Sequence, residues 1–380
     1  MEGLRNMEKP VKYSLIIPVY NRPDEVDELL ESLTRQTLKG FEVIVVEDGS
    51  QVPCEEVVKK YSQGLDVHYF EKPNSGPGQS RNYGAERSRG EYLIVLDSDV
   101  VLPEGYLAAV DEELTANPCE AFGGPDRAHE SFTPIQRAIN YSMTSFFTTG
   151  GIRGGSSPLR GNGKGALDKF YPRSFNMGIR ADLFRQLNGF SAMRFGEDID
   201  FSIRIFKSGA RCRLFPDAWV WHKRRTDFRK FFRQVHNSGI ARINLYKKYP
   251  ESLKLVHMLP ALFTVGVALL AALFLTGLVF VGIGLWAGYC GSTGCNMGLV
   301  VAYMGAALMV LALLPLLLYS LIIFIDSSIK NHSLKVGFLS IPASFIQLTG
   351  YGTGFLRAWW LRCVRGRNEE LQAFKKTFYK

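Results

Sequence analysis

The chain has 380 residues, enough for about two domains. Its 46% hydrophobic and 21% charged residues exclude a disordered protein, and six scattered cysteines exclude a disulfide scaffold or a paired zinc motif. The net charge of +9 is uneven: residues 1–222 carry 26 basic and 31 acidic groups, residues 223–254 carry 10 and 2, and residues 326–380 carry 9 and 3. The basic excess therefore flanks apolar segments instead of covering a folded face. That points to anionic lipid headgroups on the cytoplasmic side of a membrane and away from nucleic acid.

The first thirteen residues (MEGLRNMEKPVKY) hold no apolar run, so no cleavable signal peptide is expected and the N-terminal domain should remain cytoplasmic. Residues 13–19, 41–47, 66–70 and 91–97 are short apolar runs rich in Val, Ile and Tyr. Stretches of helical length, 24–37, 54–62 and 77–88, lie between them. Such alternation predicts an α/β fold with a mostly parallel sheet. Polar residues gather where the strands end: Tyr20-Asn21, Glu47-Asp48 and Asp97-Ser98-Asp99. Ligands of open parallel sheets bind at that edge.

Residues 148–178, rich in Gly and Ser, read as a loop over the site or an ordinary surface loop. Residues 181–207 are helical in pattern, interrupted at Gly189 and Gly196, and 211–221 reads as one more strand. Residues 226–250 mix aromatic and basic side chains, as a helix or helix pair in a membrane interface would. A helix of the soluble domain with a solvated face is the other reading.

No Asp, Glu, Lys or Arg occurs in residues 255–325. A polar patch at 288–296 divides this stretch into two expected spans, 257–286 and 297–325, each long enough for a bilayer. The connecting loop has no positive charge, so the basic flanks belong inside. Cys290 and Cys295 would then face out, either as a disulfide or as two small apolar residues. Residues 336–356 lack charge too, but as a span they would place Arg357, Arg362, Arg365 and Arg367 outside. Pro342 and three nearby glycines favour a re-entrant, interfacial or broken segment there.

Two motifs carry chemistry. Asp97 and Asp99, at i and i+2 after a buried strand, can hold Mn²⁺ or Mg²⁺, or divide between the metal and a ribose hydroxyl. Glu197-Asp198-Ile199-Asp200 precedes a helical run and can equally be an N-terminal helix cap.

Context decides between these readings. SLIIPVYNRPDEVDELLESLTRQTLKGFEVIVVEDGS, NSGPGQSRNYGAERSRGEYLIVLDSDV and FNMGIRADLFRQLNGFSAMRFGEDIDFSIRIFKSG follow one another in the chain. Over residues 12–225 this resembles family 2 glycosyltransferases with the GT-A fold, of the membrane-bound, inverting kind. The resemblance implies that Pro18 and Tyr20 line the base pocket and that Asp48 recognises the base. Glu47, likewise implied at the nucleotide, stands where the family usually has a first Asp. Arg81 is implied near the base or phosphates, Asp97 at the ribose, Asp99 at the metal, and Asp198 as general base beside Glu197. His222, in VWHK, matches a late histidine of the metal or diphosphate site. The Q-x-x-R-W motif of processive members is absent, which favours single addition, while Glu197, Gln234 and Arg242 are candidate diphosphate or acceptor contacts.

The resulting expectation has three parts: a cytosolic catalytic domain over 1–225, interface helices over 226–254 and a membrane domain over 255–380. The donor would be a UDP, GDP or dTDP sugar. The acceptor would be lipid-linked or a polysaccharide of the cell envelope, with membrane lipids as neighbours and a homo-oligomer possible in principle. A polyprenyl-phosphate glycosyl synthase is the alternative. A transporter or channel subunit with a nucleotide-sensing domain is disfavoured by only two clear spans without an intramembrane ionisable residue. A dead scaffold is disfavoured by the intact set Asp48, Asp97, Asp99 and Asp198.

Overall fold

The computed structural model describes residues 11–129, 131–150, 171–193, 195–289 and 295–371. The expected loop over 148–178 and the Cys290–Cys295 pair fall largely outside them. The described chain forms two compact units, residues 11–132 with 171–224, and residues 133–150 with 225–371.

The first unit is the expected α/β fold. In chain order its elements are β1 (Tyr13–Val19), α1 (Pro23–Thr34), β2 (Glu42–Asp48), α2 (Glu55–Tyr61), β3 (Asp66–Lys72), α3 (Pro77–Ala85), β4 (Tyr92–Leu96), β5 (Val100–Val101), α4 (Tyr106–Ala116), β6 (Ala121–Gly123) and β7 (Asp126–Arg127). The chain returns with β8 (Asn176–Arg180), α7 (Ala181–Gln186), α8 (Glu197–Lys207), β9 (Cys212–Leu214) and β10 (Val220–His222). Helices α5 (Pro134–Thr144) and α6 (Phe146–Thr149), which fall between β7 and β8 in the chain, belong to the second unit.

Seven strands form one sheet in the order β3-β2-β1-β4-β8-β6-β9, and β5-β10-β7 form a small second sheet. Strands β1, β2, β3 and β4 are parallel, so their carboxyl ends share one edge. Every residue of β2 and β4 is buried, which explains their unbroken apolar runs. Strand β8 runs antiparallel to both β4 and β6. Gly178 on β8 lets the Phe122 ring lie against the backbone, because a Cβ there would sit 2.0 Å from that ring. Phe122 in turn stacks on Phe215 at 4.6 Å.

One expectation changes here. The run 211–221 is not one strand but two, in different sheets. Pro216, with no N–H and a fixed φ, follows the turn at Phe215 and ends the first ladder. Strands β5, β6 and β7 are two or three residues long, too short for an alternating pattern to announce.

The second unit holds α5, α6, α9 (Phe228–Lys248), α10 (Leu259–Tyr289), α11 (Cys295–Asn331) and α12 (Leu334–Trp359). Leu259–Ala287 and Met297–Asn331 are long and apolar enough to cross a membrane. These two helices pair by small residues. Gly277 meets the Gly305 carbonyl and Gly284 meets Gly298 and Ala302, where a Cβ would come within 2.7 Å of backbone atoms.

Residues 226–250 form one helix, not a pair. Residues 336–356 lie within an unbroken helix despite Pro342. Its glycines are sites of close approach, not breaks: a Cβ at Gly352 would sit 2.4 Å from the Pro260 carbonyl, and one at Gly354 2.1 Å from the His236 carbonyl. Along α12 the partners pass from the end of α11 (Ser327 with Ser340 at 2.7 Å) to the start of α10 (Thr264 with the Leu348 carbonyl at 3.4 Å). Helices α10 and α11, by contrast, pair with each other from Phe263 against Tyr319 to Gly284 against Gly298. Helix α12 therefore runs across the base of the hairpin and not beside it. Helix α9 lies alongside α12, with Gly239 on the Tyr351 carbonyl and Asn244 bonded to Arg362 at 2.7 Å. Helix α5 joins the same layer through Ala138, which packs with Val336 and Ala343 of α12, while its Tyr141 donates to Asp326 of α11 at 2.6 Å.

Candidate functional site

The carboxyl edge of the first unit's sheet gathers polar groups from four parallel strands and from α8. At the end of β2, Asp48 is buried. Its carboxylate accepts the backbone N–H of Ser75 and of Gly76, each at 2.9 Å, and pairs with Lys72 at the end of β3. Gly49 has φ +69°, and a Cβ there would press on Asn74 at 2.8 Å, so the turn requires glycine. Glu47 is fully buried. Ser50 Oγ and the Cys54 N–H (2.8 Å) donate to its carboxylate, so it ties the loop after β2 to the start of α2. The expectation had placed Glu47 at the nucleotide, but its side chain is turned into the fold. Pro18 and Tyr20, half-buried, sit at the end of β1 next to β2.

Arg81 on α3 is 3% exposed and bridges two elements. It donates to Asp97 after β4 at 2.7 Å and to Glu197 at the start of α8 at 2.9 Å. Burial disfavours the guanidinium charge, but these two carboxylates hold it firmly protonated. Burial also pushes the Glu197 carboxyl above the usual range, Arg81 opposes this, and the adjacent Asp198 adds to it. Breaking such a buried network by removing one charge costs about 3–5 kcal/mol.

Asp97, Asp99 and His222 each offer a ligand atom, all within 4.8 Å of one another. His222 Nε2 lies 3.3 Å from Asp99 Oδ1, and its Nδ1 lies 4.0 Å from Asp126 and has no hydrogen-bond partner among the described residues. Burial works against the Asp126 charge, yet Arg224 and His222 hold its carboxyl below the usual range. Two carboxylate oxygens and one imidazole nitrogen suit Mn²⁺; Mg²⁺ favours oxygen alone. The donor set therefore fits a divalent cation of that kind. On the other side of Asp99, Arg22 donates to Oδ2 at 2.7 Å.

The acidic run at the start of α8 divides by role. Asp200 is fully buried and pairs with Arg204 at 2.9 Å, the structural half of the helix-cap reading. Asp198 keeps 18% of its side chain exposed; it accepts the Ile199 N–H and has Arg173 at 3.3 Å. Gln234 and Arg242 are half-buried on α9 in the second unit. Arg22, Lys72, Asp126 and Arg173 are the polar groups of this edge that the sequence reading passed over. Arg22 alone had a signal, following the strand-end pair Tyr20-Asn21. Asp126 sits on a two-residue strand with no pattern to flag it.

Comparison with known proteins follows this geometry. Residues 14–185 match the profile of Glycosyl transferase family 2. An uncharacterized glycosyltransferase of Haemophilus influenzae is 32% identical over 200 residues, which are 51% of this chain and 62% of that protein. The poly(ribitol-phosphate) beta-N-acetylglucosaminyltransferase TarS of Staphylococcus aureus is 38% identical over 93 residues, 23% of this chain and 16% of that protein. The chain thus spans less than two thirds of the length of these curated relatives. Among solved structures, the mannosyltransferase PcManGT of Pyrobaculum calidifontis, in complex with GDP-Man and Mn²⁺, aligns with a TM-score of 0.50 at 17% identity. That alignment covers 89% of this chain and 87% of the neighbour and supports the GT-A fold.

Proposed function

We propose, from the match of residues 14–185 to Glycosyl transferase family 2, that this protein moves a glycosyl unit, with inversion, from a nucleoside-diphosphate sugar to a hydroxyl of a lipid-linked or polysaccharide acceptor in cell-envelope glycan synthesis. The observation that carries this reading is the linkage of the metal-competent set Asp97, Asp99 and His222, through Arg81, to the Glu197-Asp198 pair. A donor with a charged leaving group and an acceptor with a proton to lose need those two functions side by side.

In this reading Pro18 and Tyr20 flank the base and Asp48 reads its edge, with the carboxylate held in place by Ser75, Gly76 and Lys72. Asp97 meets the ribose. A divalent cation held by Asp99 and His222, with Asp97 beside them, would neutralise the departing diphosphate. Arg81 keeps Asp97 aimed by anchoring on Glu197. Asp198 removes the acceptor proton as the hydroxyl attacks, a contribution of about 10²–10⁴-fold. In-line attack opposite the leaving group inverts the anomeric centre. Mn²⁺ is favoured by the histidine donor, and the neighbour solved with GDP-Man and Mn²⁺ is consistent with it.

The α10–α11 hairpin would anchor the protein, with its uncharged turn outside and its basic flanks at the cytoplasmic face. Helices α5, α9 and α12, lying across the base of the hairpin, suit the headgroup layer.

The test is a screen of UDP, GDP and dTDP sugars with Mn²⁺ against the host's lipid extract, for wild type and Asp198→Asn. The reading expects transfer that Asp198→Asn lowers at least a hundredfold. Unimpaired turnover in Asp198→Asn would instead indicate an acceptor that is already ionised, as the polyprenyl-phosphate synthase alternative requires.

A further inference from the structure

Arg22 touches Asp99, a proposed metal ligand, directly, and neither the family match nor the proposed mechanism uses it. Its Nη1 donates to Asp99 Oδ2 at 2.7 Å, with 24% of the arginine side chain and 14% of the aspartate side chain exposed. Its backbone is held firmly. Asn21, immediately before it, takes a left-handed conformation at φ +53°. The Asn21 side-chain oxygen accepts the N–H groups of Gln51 (2.7 Å) and Val52 (3.0 Å), and the Asn21 backbone N–H donates to Ser50 Oγ at 2.7 Å. That left-handed residue ends β1 and turns the chain so that Arg22 enters at the Asp97–Asp99 loop.

A guanidinium on one oxygen of a carboxylate and a divalent cation on the same carboxylate repel each other. Asp99 Oδ1 already faces His222, so Arg22 holds the other oxygen. A metal at Asp99 is therefore bound less tightly until the arginine's charge is satisfied elsewhere. The donor supplies that partner, because its diphosphate brings acceptor oxygens matched to the flat fork of an arginine. One N–H of the guanidinium is used in its bond to Asp99, and the charge is held further by Glu25 and Asp97, with no other hydrogen bond of the guanidinium found among the described residues.

We propose that Arg22 is a placeholder counter-ion: it occupies Asp99 in the nucleotide-free protein and transfers to the donor diphosphate when the metal takes Asp99. Arg22 thereby makes metal binding and nucleotide binding depend on each other beyond the direct metal–phosphate bond. The effect is reciprocal, since each ligand must change the other's affinity by the same factor. The inference rests on the glycosyl-donor reading of the site.

The experiment titrates Mn²⁺ by electron paramagnetic resonance into the full-length detergent-solubilised protein, without nucleotide and with saturating UDP, GDP or dTDP in turn. Wild type, Arg22→Gln, Arg22→Lys and Asp99→Asn are compared, with circular dichroism to check folding. In nucleotide-free Arg22→Gln, Mn²⁺ should bind about fivefold or more tightly than in wild type, because its competitor is gone. The gain in Mn²⁺ affinity from the preferred nucleotide should shrink at least tenfold. Arg22→Lys should restore part of the coupling, and Asp99→Asn should abolish Mn²⁺ binding. A variant that merely loosened the fold would weaken metal binding, not strengthen it. Unchanged or weaker Mn²⁺ binding in nucleotide-free Arg22→Gln overturns the proposal while the donor reading stands, provided wild type binds Mn²⁺ and nucleotide together. If wild type binds neither, or Asp99→Asn makes no difference, both fall.

Discussion

The two units of this protein invert each other's rules. In the first, Ile16, Val45 and Ile94 are fully buried and charge collects at one edge of the sheet. In the second, Leu269 is 65% and Leu317 62% exposed on the hairpin, while polar side chains such as Asn237, Ser340 and Ser344 are buried in the helix layer. Water as solvent puts apolar groups inside; a lipid solvent has no such preference, so helices there associate through small residues and buried polar contacts. The comparison teaches that burial of polar groups carries different meanings in the two units. At the sheet edge it organises a charge network, whereas in the helix layer it fixes packing.

The sharpest way to break that comparison is at Asp99. Asp99→Asn should lower glycosyl transfer by about 10³-fold or more, on the scale of a lost electrostatic contribution, with the helical circular dichroism of the hairpin unchanged. Retained activity measured by donor turnover would remove the metal-competent set from the chemistry.

Next is Gly178→Val, which drives a branched side chain into the Phe122 ring. The first unit should lose more than about 4 kcal/mol of stability, an exceptional loss for one residue, seen as a collapsed melting transition and absent nucleotide binding. The matching change in the second unit is Gly354→Val, against the His236 carbonyl. It should weaken α9–α12 packing and extraction stability in detergent while nucleotide binding by the first unit persists. Equal damage to both functions would show the units to be one cooperative body.

A smaller effect is expected at Glu197. Glu197→Gln leaves Arg81 with one carboxylate partner and should cost about 3 kcal/mol by differential scanning fluorimetry. It should also raise the donor KM more than it lowers kcat, since Asp97 loses its brace. Smallest is Asn237→Leu. Both polar atoms of the Asn237 amide are buried without a hydrogen-bond partner among the described residues. An apolar replacement of similar shape should leave stability unchanged or raise it by about 1 kcal/mol. A large loss would show that the amide holds something other than empty packing.

Much of the first unit was legible because its physics is local. Strands β1, β2 and β4 announce themselves as apolar runs, and the polar residues that end them are where a parallel sheet must present its ligands. The division of Glu197, Asp198 and Asp200 among a brace, an accessible carboxylate and a structural pair was not legible. Three neighbours on one helical turn point in three directions, and only the partners brought by α3, by the segment before β8 and by α8 itself separate them. Lys72 escaped notice for a related reason: β3 runs two residues longer than its apolar pattern, and the lysine lies in that extension.

In the second unit the charge gap was enough to announce two long apolar helices. It said less about residues 336–356. Proline and glycine in an apolar run signal breakage when neighbours are unknown, and Gly350, Gly352 and Gly354 instead receive the backbone or side chains of α9 and α10. What the sequence by itself determined is therefore the apolar or polar character of each segment, the parallel sheet, and the carboxylates at its edge, because hydropathy, periodicity and strand-end chemistry are properties of a few consecutive residues. What only the tertiary structure decided is which carboxylate touches which cation and which glycine admits which helix. Those depend on groups up to a hundred or more positions apart, as Arg81 and Glu197 are, and no local pattern encodes the meeting of two such groups.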